Sequence, residues 1–207
     1  MIKKLLFIAT LFAMISCSQS PQEKVNALIE LQLKKSLYHP ETYDPAETIV
    51  DSAFTPFDNP SFYEKTIKLC KLGVEMEDYE YKIKNEKSDM AHYKDMLQIM
   101  YSNSDKESYD QAKENYEKYL AEKKETEEKI KKLVDELKSE LEKEPQFIGF
   151  KARHRYRAQN NGGQTVFGEA KILFDKDITK IVSAYDMDGE EYKAVQTIYK
   201  QMLGDDE

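Results

Sequence analysis

The sequence contains no tryptophan, two cysteines, three histidines, three arginines, seven glycines and six prolines in 207 residues. Two cysteines cannot build a disulfide framework or a cysteine-rich zinc site, and three scattered histidines leave little for metal chemistry. A global basic field is also missing. With 39 acidic against 31 basic side chains the formal net charge is −8, which excludes a nucleic-acid binder that works through overall positive potential. What is present is a 40% hydrophobic, 34% charged chain. That is apolar enough for one compact domain or two, and too apolar for a wholly disordered protein.

Met1 to Cys17 reads as a secretory signal: Lys3 and Lys4 make a positive start, and Leu5 to Ile15 is almost wholly apolar but too short to span a bilayer. The run ends in Met14-Ile15-Ser16-Cys17, which resembles the lipobox of bacterial lipoproteins, with Met14 where leucine is usual. The resemblance implies diacylation of Cys17, cleavage before it, and a mature chain held on a membrane leaflet by its acyl groups. Such a chain loses two lysines and stands at −10, with Cys70 as its only remaining thiol. Ser18 after the cysteine favours the outer membrane over the inner. The Tyr- and Lys-rich, Trp-free composition is similar to that of small Bacteroidetes lipoproteins.

Residues 61–144 contain no proline, one glycine and 39 charged side chains. Periodicity decides between disorder and long helix. Leu69, Leu72, Met76, Tyr79, Ile83, Glu86, Met90, Tyr93, Leu97 and Met100 alternate spacings of three and four. So do Tyr109, Ala112, Tyr116, Tyr119, Lys123, Thr126, Ile130, Leu133 and Leu137, with Leu141 one step of four beyond. These are seams of two helices packed along one another as an antiparallel coiled-coil hairpin. Ser102 to Asp105 offers a place to reverse, and Ser104 with Glu107 has the spacing of a capping box. A reversal there pairs residues whose numbers sum to 209. It sets Glu86 against Lys123, the one charged member of each seam, as a register-fixing ion pair.

The ends of the chain supply an α+β module. Ser20, Pro21 and Glu23 have helix-start chemistry, and Val25, Leu28, Ile29, Leu33 and Leu37 form an apolar stripe ahead of Pro40. Residues 39–60 hold four of the six prolines and read as a loop, with one possible strand from Thr48 to Phe57. After Pro145 the pattern turns to alternation: Phe147 to Ala158 is a strand, Asn160-Asn161-Gly162-Gly163 a hairpin turn, Thr165 to Phe174 a second strand and Ile178 to Tyr185 a third. Asp188 and Glu191 are spaced as a capping box for a last helix through Met202. The expected architecture is α+β: a small antiparallel sheet of three to four strands, flanking terminal helices on its apolar face, and a long inserted helical hairpin. The boundaries are 1–16 for the signal, 17–60 for the N-terminal part of the module, 61–144 for the hairpin and 145–207 for the meander and the helix completing the module.

The first strand of the meander carries every arginine of the protein, Arg153, Arg155 and Arg157, with Lys151, at a spacing of two. Arginine suits planar, bidentate recognition of carboxylate or phosphate, so this face is a candidate site for an anionic ligand. The plainer alternative is pairing within the fold, with the acidic arm or with Glu169 on the neighbouring strand. His154 and Tyr156 fall on the opposite, apolar face, where a lone histidine reads as a hydrogen-bonded core residue. No Ser, Cys or carboxylate stands beside it at a triad or metal spacing. Asp186 to Gly189 does not complete a calcium loop, the Asn160 to Gly163 run does not precede a helix that would hold a nucleotide phosphate, and Cys70 reads as a small core hydrophobe.

The expectation is therefore a lipid-anchored cell-envelope protein, non-catalytic, without a cofactor or metal and not a nucleic-acid binder. Its partner would be a protein or an anionic envelope component. Two alternatives remain: an envelope enzyme acting on an anionic glycan or lipid phosphate through Arg153, Arg155, His154 and Tyr156, and a homo-oligomeric scaffold joined through the arm.

Overall fold

The computed structural model describes residues 20–204; the expected signal segment, the lipobox and Cys17 lie outside the described residues. The protein is α+β. Its elements run α1 (Pro21–Ser36), β1 (His39–Phe54), α2 (Pro60–Ile99), α3 (Asn103–Leu141), β2 (Phe147–Gln159), β3 (Thr165–Phe174), β4 (Ile181–Asp186) and α4 (Glu190–Leu203). The four strands form one sheet in the order β1-β2-β3-β4, with antiparallel pairing of β2 with β3 and of β3 with β4. The described residues divide into one unit of 20–53 plus 149–187, and a second of 54–148 plus 188–204.

In the first unit, α1 begins as its sequence dictates. The Ser20 side chain accepts a hydrogen bond from the Glu23 amide, and the Glu23 carboxylate accepts one in return from the Ser20 amide, so two otherwise orphaned donors are satisfied. Val25 and Ile29 are fully buried against Ala152, Ile172, Phe174 and Ile178 of the sheet and its turn. β1 is longer than its prolines suggest: 39–47 is strand, not loop. It lies at the sheet edge, where Pro40 and Pro45, which lack an amide donor, are tolerated. β4 starts at Ile181 and not at Ile178, because Ile178 has a positive φ of 52° in a turn held by the Asp175 carboxylate, which accepts from the Thr179 and Lys180 amides.

Two glycines fit the strands where a side chain would not. A Cβ on Gly149, whose φ is +150°, would lie 2.1 Å from the Phe174 carbonyl oxygen. Gly168 faces Tyr156 across the β2–β3 pair, and a Cβ there would come within 2.6 Å of the tyrosine ring. The glycine is the floor on which that ring lies.

The second unit is the hairpin and its base. In α2 and α3 the two predicted seams are the protected faces: every seam residue from Leu69 to Leu97 and from Tyr109 to Leu141 is buried or half-buried, amid largely exposed neighbours. The register differs from expectation. Lys123 Nζ lies 2.9 Å from Glu80 Oε1, while Glu86 accepts a hydrogen bond from Asn115 Nδ2 at 3.2 Å, so the expected Glu86–Lys123 pair is not formed. Cross-helix partners, including Lys65 with Glu136 and Glu140, sum to 201–205 in place of 209. The turn is the cause. Ser102, not Ser104, caps α3 by accepting from the Asp105 amide, and α2 stops at Ile99. Moving the reversal back by about half a heptad shifts the sum by about one whole heptad, which returns seam to seam.

The last helix also departs from expectation. α4 does not complete the sheet module; Val195 and Tyr199 are buried with Phe62, Leu72, Leu133 and Leu137 at the base of the hairpin. Phe57 adds its ring 4.9 Å from that of Tyr199. The Asp188–Glu191 capping box is not made: Gly189 occupies the cap position and α4 starts at Glu190, without a side-chain cap. Its amphipathic stripe fits whichever apolar groove is free, and α1 already covers the sheet face. Among the described residues no helix is long and apolar enough to cross a membrane.

Candidate functional site

The alternation of β2 sends its side chains to two faces of the first unit with opposite chemistry. On the outer face Arg153, Arg155 and Arg157 are each about half exposed (53%, 53% and 52% of the side chain). Arg153 hydrogen-bonds Glu169 of β3, and Arg155 approaches the same carboxylate at 3.7 Å and Glu47 of β1 at 3.9 Å. Arg157 lies 3.9 Å from Asp44 of β1 and rests over the exposed Phe167 ring at 5.2 Å. The Arg153 guanidinium beside it holds the Glu169 carboxyl below the usual carboxylate range. The strand-paired reading of these arginines thus has its partners in the two neighbouring strands, with the acidic residues of β1 added to Glu169. Lys151 belongs to the same strand and also has interactions of its own.

On the inner face His154 is 1% exposed. Its Nε2 is 3.0 Å from the Tyr43 hydroxyl and its Nδ1 is 2.9 Å from Thr48 Oγ1, so both ring nitrogens have partners from β1. Desolvation holds the imidazole below its ordinary pKa, with a hydrogen bond to the Glu47 backbone opposing. Tyr156 stacks on the same ring at 5.6 Å and 12°, and Tyr43 leans towards both at 6.0 Å. His154 is therefore a neutral, fully engaged core residue, and Arg153 and Arg155 do not converge with it because the sheet stands between them.

Beside this aromatic group is a half-open cavity of about 340 Å³, lined by Asn26, Glu30 and Lys34 of α1, by Tyr43, Pro45 and Thr48 of β1, and by His154. The α1 residues recur every four positions and so lie on one stripe. Lys34 Nζ and Glu30 Oε1 are 2.6 Å apart. Burial, with Glu30 and Tyr156 nearby, pushes the Tyr43 phenol up to about 12, so it stays protonated. Reading 39–47 as a loop hid this cavity. The available signal was the β-branched content of Thr42 to Val50, which is compatible with an edge strand despite its prolines.

A larger hollow of about 660 Å³ in the second unit runs over the charged surface of α3, lined by Lys65, Glu136, Glu140 and neighbouring side chains, and is widely open. Cys70 is a half-buried free thiol whose pKa is raised by desolvation. Among the described residues no group of three or more His, Cys, Asp or Glu side chains is placed to hold a metal ion. No family model, curated protein or solved structure matches this chain.

Proposed function

We propose that the chain is a lipid-anchored protein of the bacterial cell envelope, attached through acyl groups on Cys17, with a non-catalytic binding role. The observation that carries this reading is the order Lys3-Lys4, Leu5 to Ile15 and Met14-Ile15-Ser16-Cys17, followed within three residues by Ser20, the cap of α1. A signal, a lipobox and then the folded chain is the arrangement that lipidation requires. Ser18 supports the outer membrane as destination. A binding role fits a chain whose buried histidine spends both ring nitrogens on hydrogen bonds to Tyr43 and Thr48 within the fold.

Expression of the full chain in a bacterial host fed an alkyne analogue of palmitate tests the anchor. The expected result is a labelled protein in the outer-membrane fraction, with label lost in Cys17→Ala and an unprocessed precursor accumulating when the lipoprotein signal peptidase is inhibited. An unlabelled wild-type chain processed to a soluble form would overturn the reading.

A second reading, a homo-oligomeric scaffold joined through the arm, draws on the tip of the hairpin. Ile99, Met100 and Tyr101 are 81%, 75% and 66% exposed in direct succession. Sedimentation that shifts with concentration for the wild type and not for Ile99→Ser/Met100→Ser would establish it.

A further inference from the structure

We infer that the cavity between α1 and β1 binds a compact, uncharged polyhydroxyl ligand, such as a single sugar ring. The inference rests on the reading of a binding role and is independent of the anchor. At about 340 Å³ the cavity lies at the small end of the range of ligand pockets, about 300–1,000 Å³. That is room for one ring.

Charge selects the class. The two formal charges on the wall, Glu30 and Lys34, are paired with each other. The phenol of Tyr43 stays protonated and the His154 imidazole stays neutral, so the lining has no net charge to offer an ion. An anion beside Lys34 would also face Glu30, and a cation beside Glu30 would also face Lys34. A neutral ligand meets no such opposition.

Hydrogen-bond capacity then selects among neutral ligands. Glu30 uses one carboxylate oxygen on Lys34 and keeps the other as an acceptor, while Lys34 spends one of three donors on that pair. Asn26 accepts from Gln22 through Oδ1, and among the described residues its amide NH₂ has no hydrogen-bond acceptor. Acceptor and donors thus alternate along one helical stripe. Adjacent hydroxyls, each of which donates and accepts, satisfy such an alternation, whereas a purely apolar ligand would leave it unpaired. The opposite wall, with Tyr43 and the ring of Pro45, offers apolar surface to the C–H face of a sugar ring.

Saturation-transfer NMR on the purified full chain, with glucose, galactose, mannose and N-acetylglucosamine as separate probes, tests the inference. Inorganic phosphate, an anion, and glycine, a zwitterion, serve as ionic competitors. At least one sugar should receive saturation and be undisturbed by either competitor. Glu30→Gln, which removes a hydrogen bond to a charged group, should weaken its Kd about tenfold or more, and Asn26→Ala, which removes a neutral one, about fivefold; both are exposed positions. Arg155→Ala, on the other sheet face, should leave it unchanged, and unaltered thermal unfolding would show that the variants are folded. No transfer to any of the four sugars, displacement by phosphate or glycine, or full binding in both cavity variants would overturn the inference. Chemical turnover of a bound sugar would instead overturn the non-catalytic reading while leaving the site in place.

Discussion

Lys123 is paired with Glu80, six residues along α2 from Glu86, the only other charged member of the apolar seams. Six helical residues are about 9 Å of rise, so the two registers are structurally distinct although both bring seam to seam. A short bis-maleimide distinguishes them in a chain carrying Cys17→Ala and Cys70→Ala. Cysteines at 80 and 123 should cross-link within the monomer rapidly, and cysteines at 86 and 123 slowly or not at all. The reverse order would restore the turn at Ser104.

Gly168 is where the sheet yields to Tyr156. Gly168→Val should cost about 1–3 kcal/mol in denaturant unfolding, because the added atoms displace a ring stacked on His154. The cost should shrink in a Tyr156→Ala background, since the clash and the stack vanish together. Equal costs in both backgrounds would mean that Gly168 is needed for its backbone and not for the ring.

His154 gives the first unit an acid sensitivity that begins near neutral pH. Its folded pKa lies below the ordinary 6.5, so as pH falls through 6.5 the unfolded chain takes up a proton that the folded one refuses. Stability should therefore be flat above 6.5 and decline below it, with a slope of up to one proton, until the folded pKa is passed. His154→Gln should remove that segment of the profile. Glu169 and Asp175, whose carboxyls are depressed, contribute stability above about 4.5 and 3.8 respectively that is lost at lower pH as each is protonated. Their decline should survive the His154 substitution. A pH profile of unfolding that is identical with and without His154 would contradict the assignment.

The base of the hairpin depends on α4. Leu137→Ala, at a side chain with no exposure, should cost about 2–5 kcal/mol. Hydrogen exchange should show α4 amides around Val195 and Tyr199 losing protection together with the first turns of α2, since these residues share one core. Protection of α4 that follows β2 and β3 instead would return the helix to the sheet module.

Local chemistry is legible in the sequence only in part. Ser20 and Glu23 cap α1 reciprocally, whereas Ser104–Glu107 and Asp188–Glu191, with the same spacing, do not form caps, because α3 is capped by Ser102 and α4 starts after Gly189. The Asn160 carboxamide closes the β2–β3 turn by accepting from the Gly162 and Gln164 amides, as the Asn-Gly-rich run suggests. His154 reads as a hydrogen-bonded core residue and has two partners. The cavity is not legible in the sequence because Tyr43 and Thr48 are more than 100 residues from His154, and Tyr43 lies between prolines that argue for a loop and are tolerated only at a sheet edge.

The sequence by itself determined the α+β class, the seams of the two long helices, the faces of β2 and the basic strand, because period and spacing are local properties of a chain. Tertiary structure alone decided the hairpin register, the extent of β1 and the groove that α4 fills. A heptad pattern is unchanged by a shift of seven, so only the choice of Ser102 over Ser104 at the turn selects the register. An amphipathic helix such as α4 specifies that it must be covered, and the packing of the rest of the chain specifies by what.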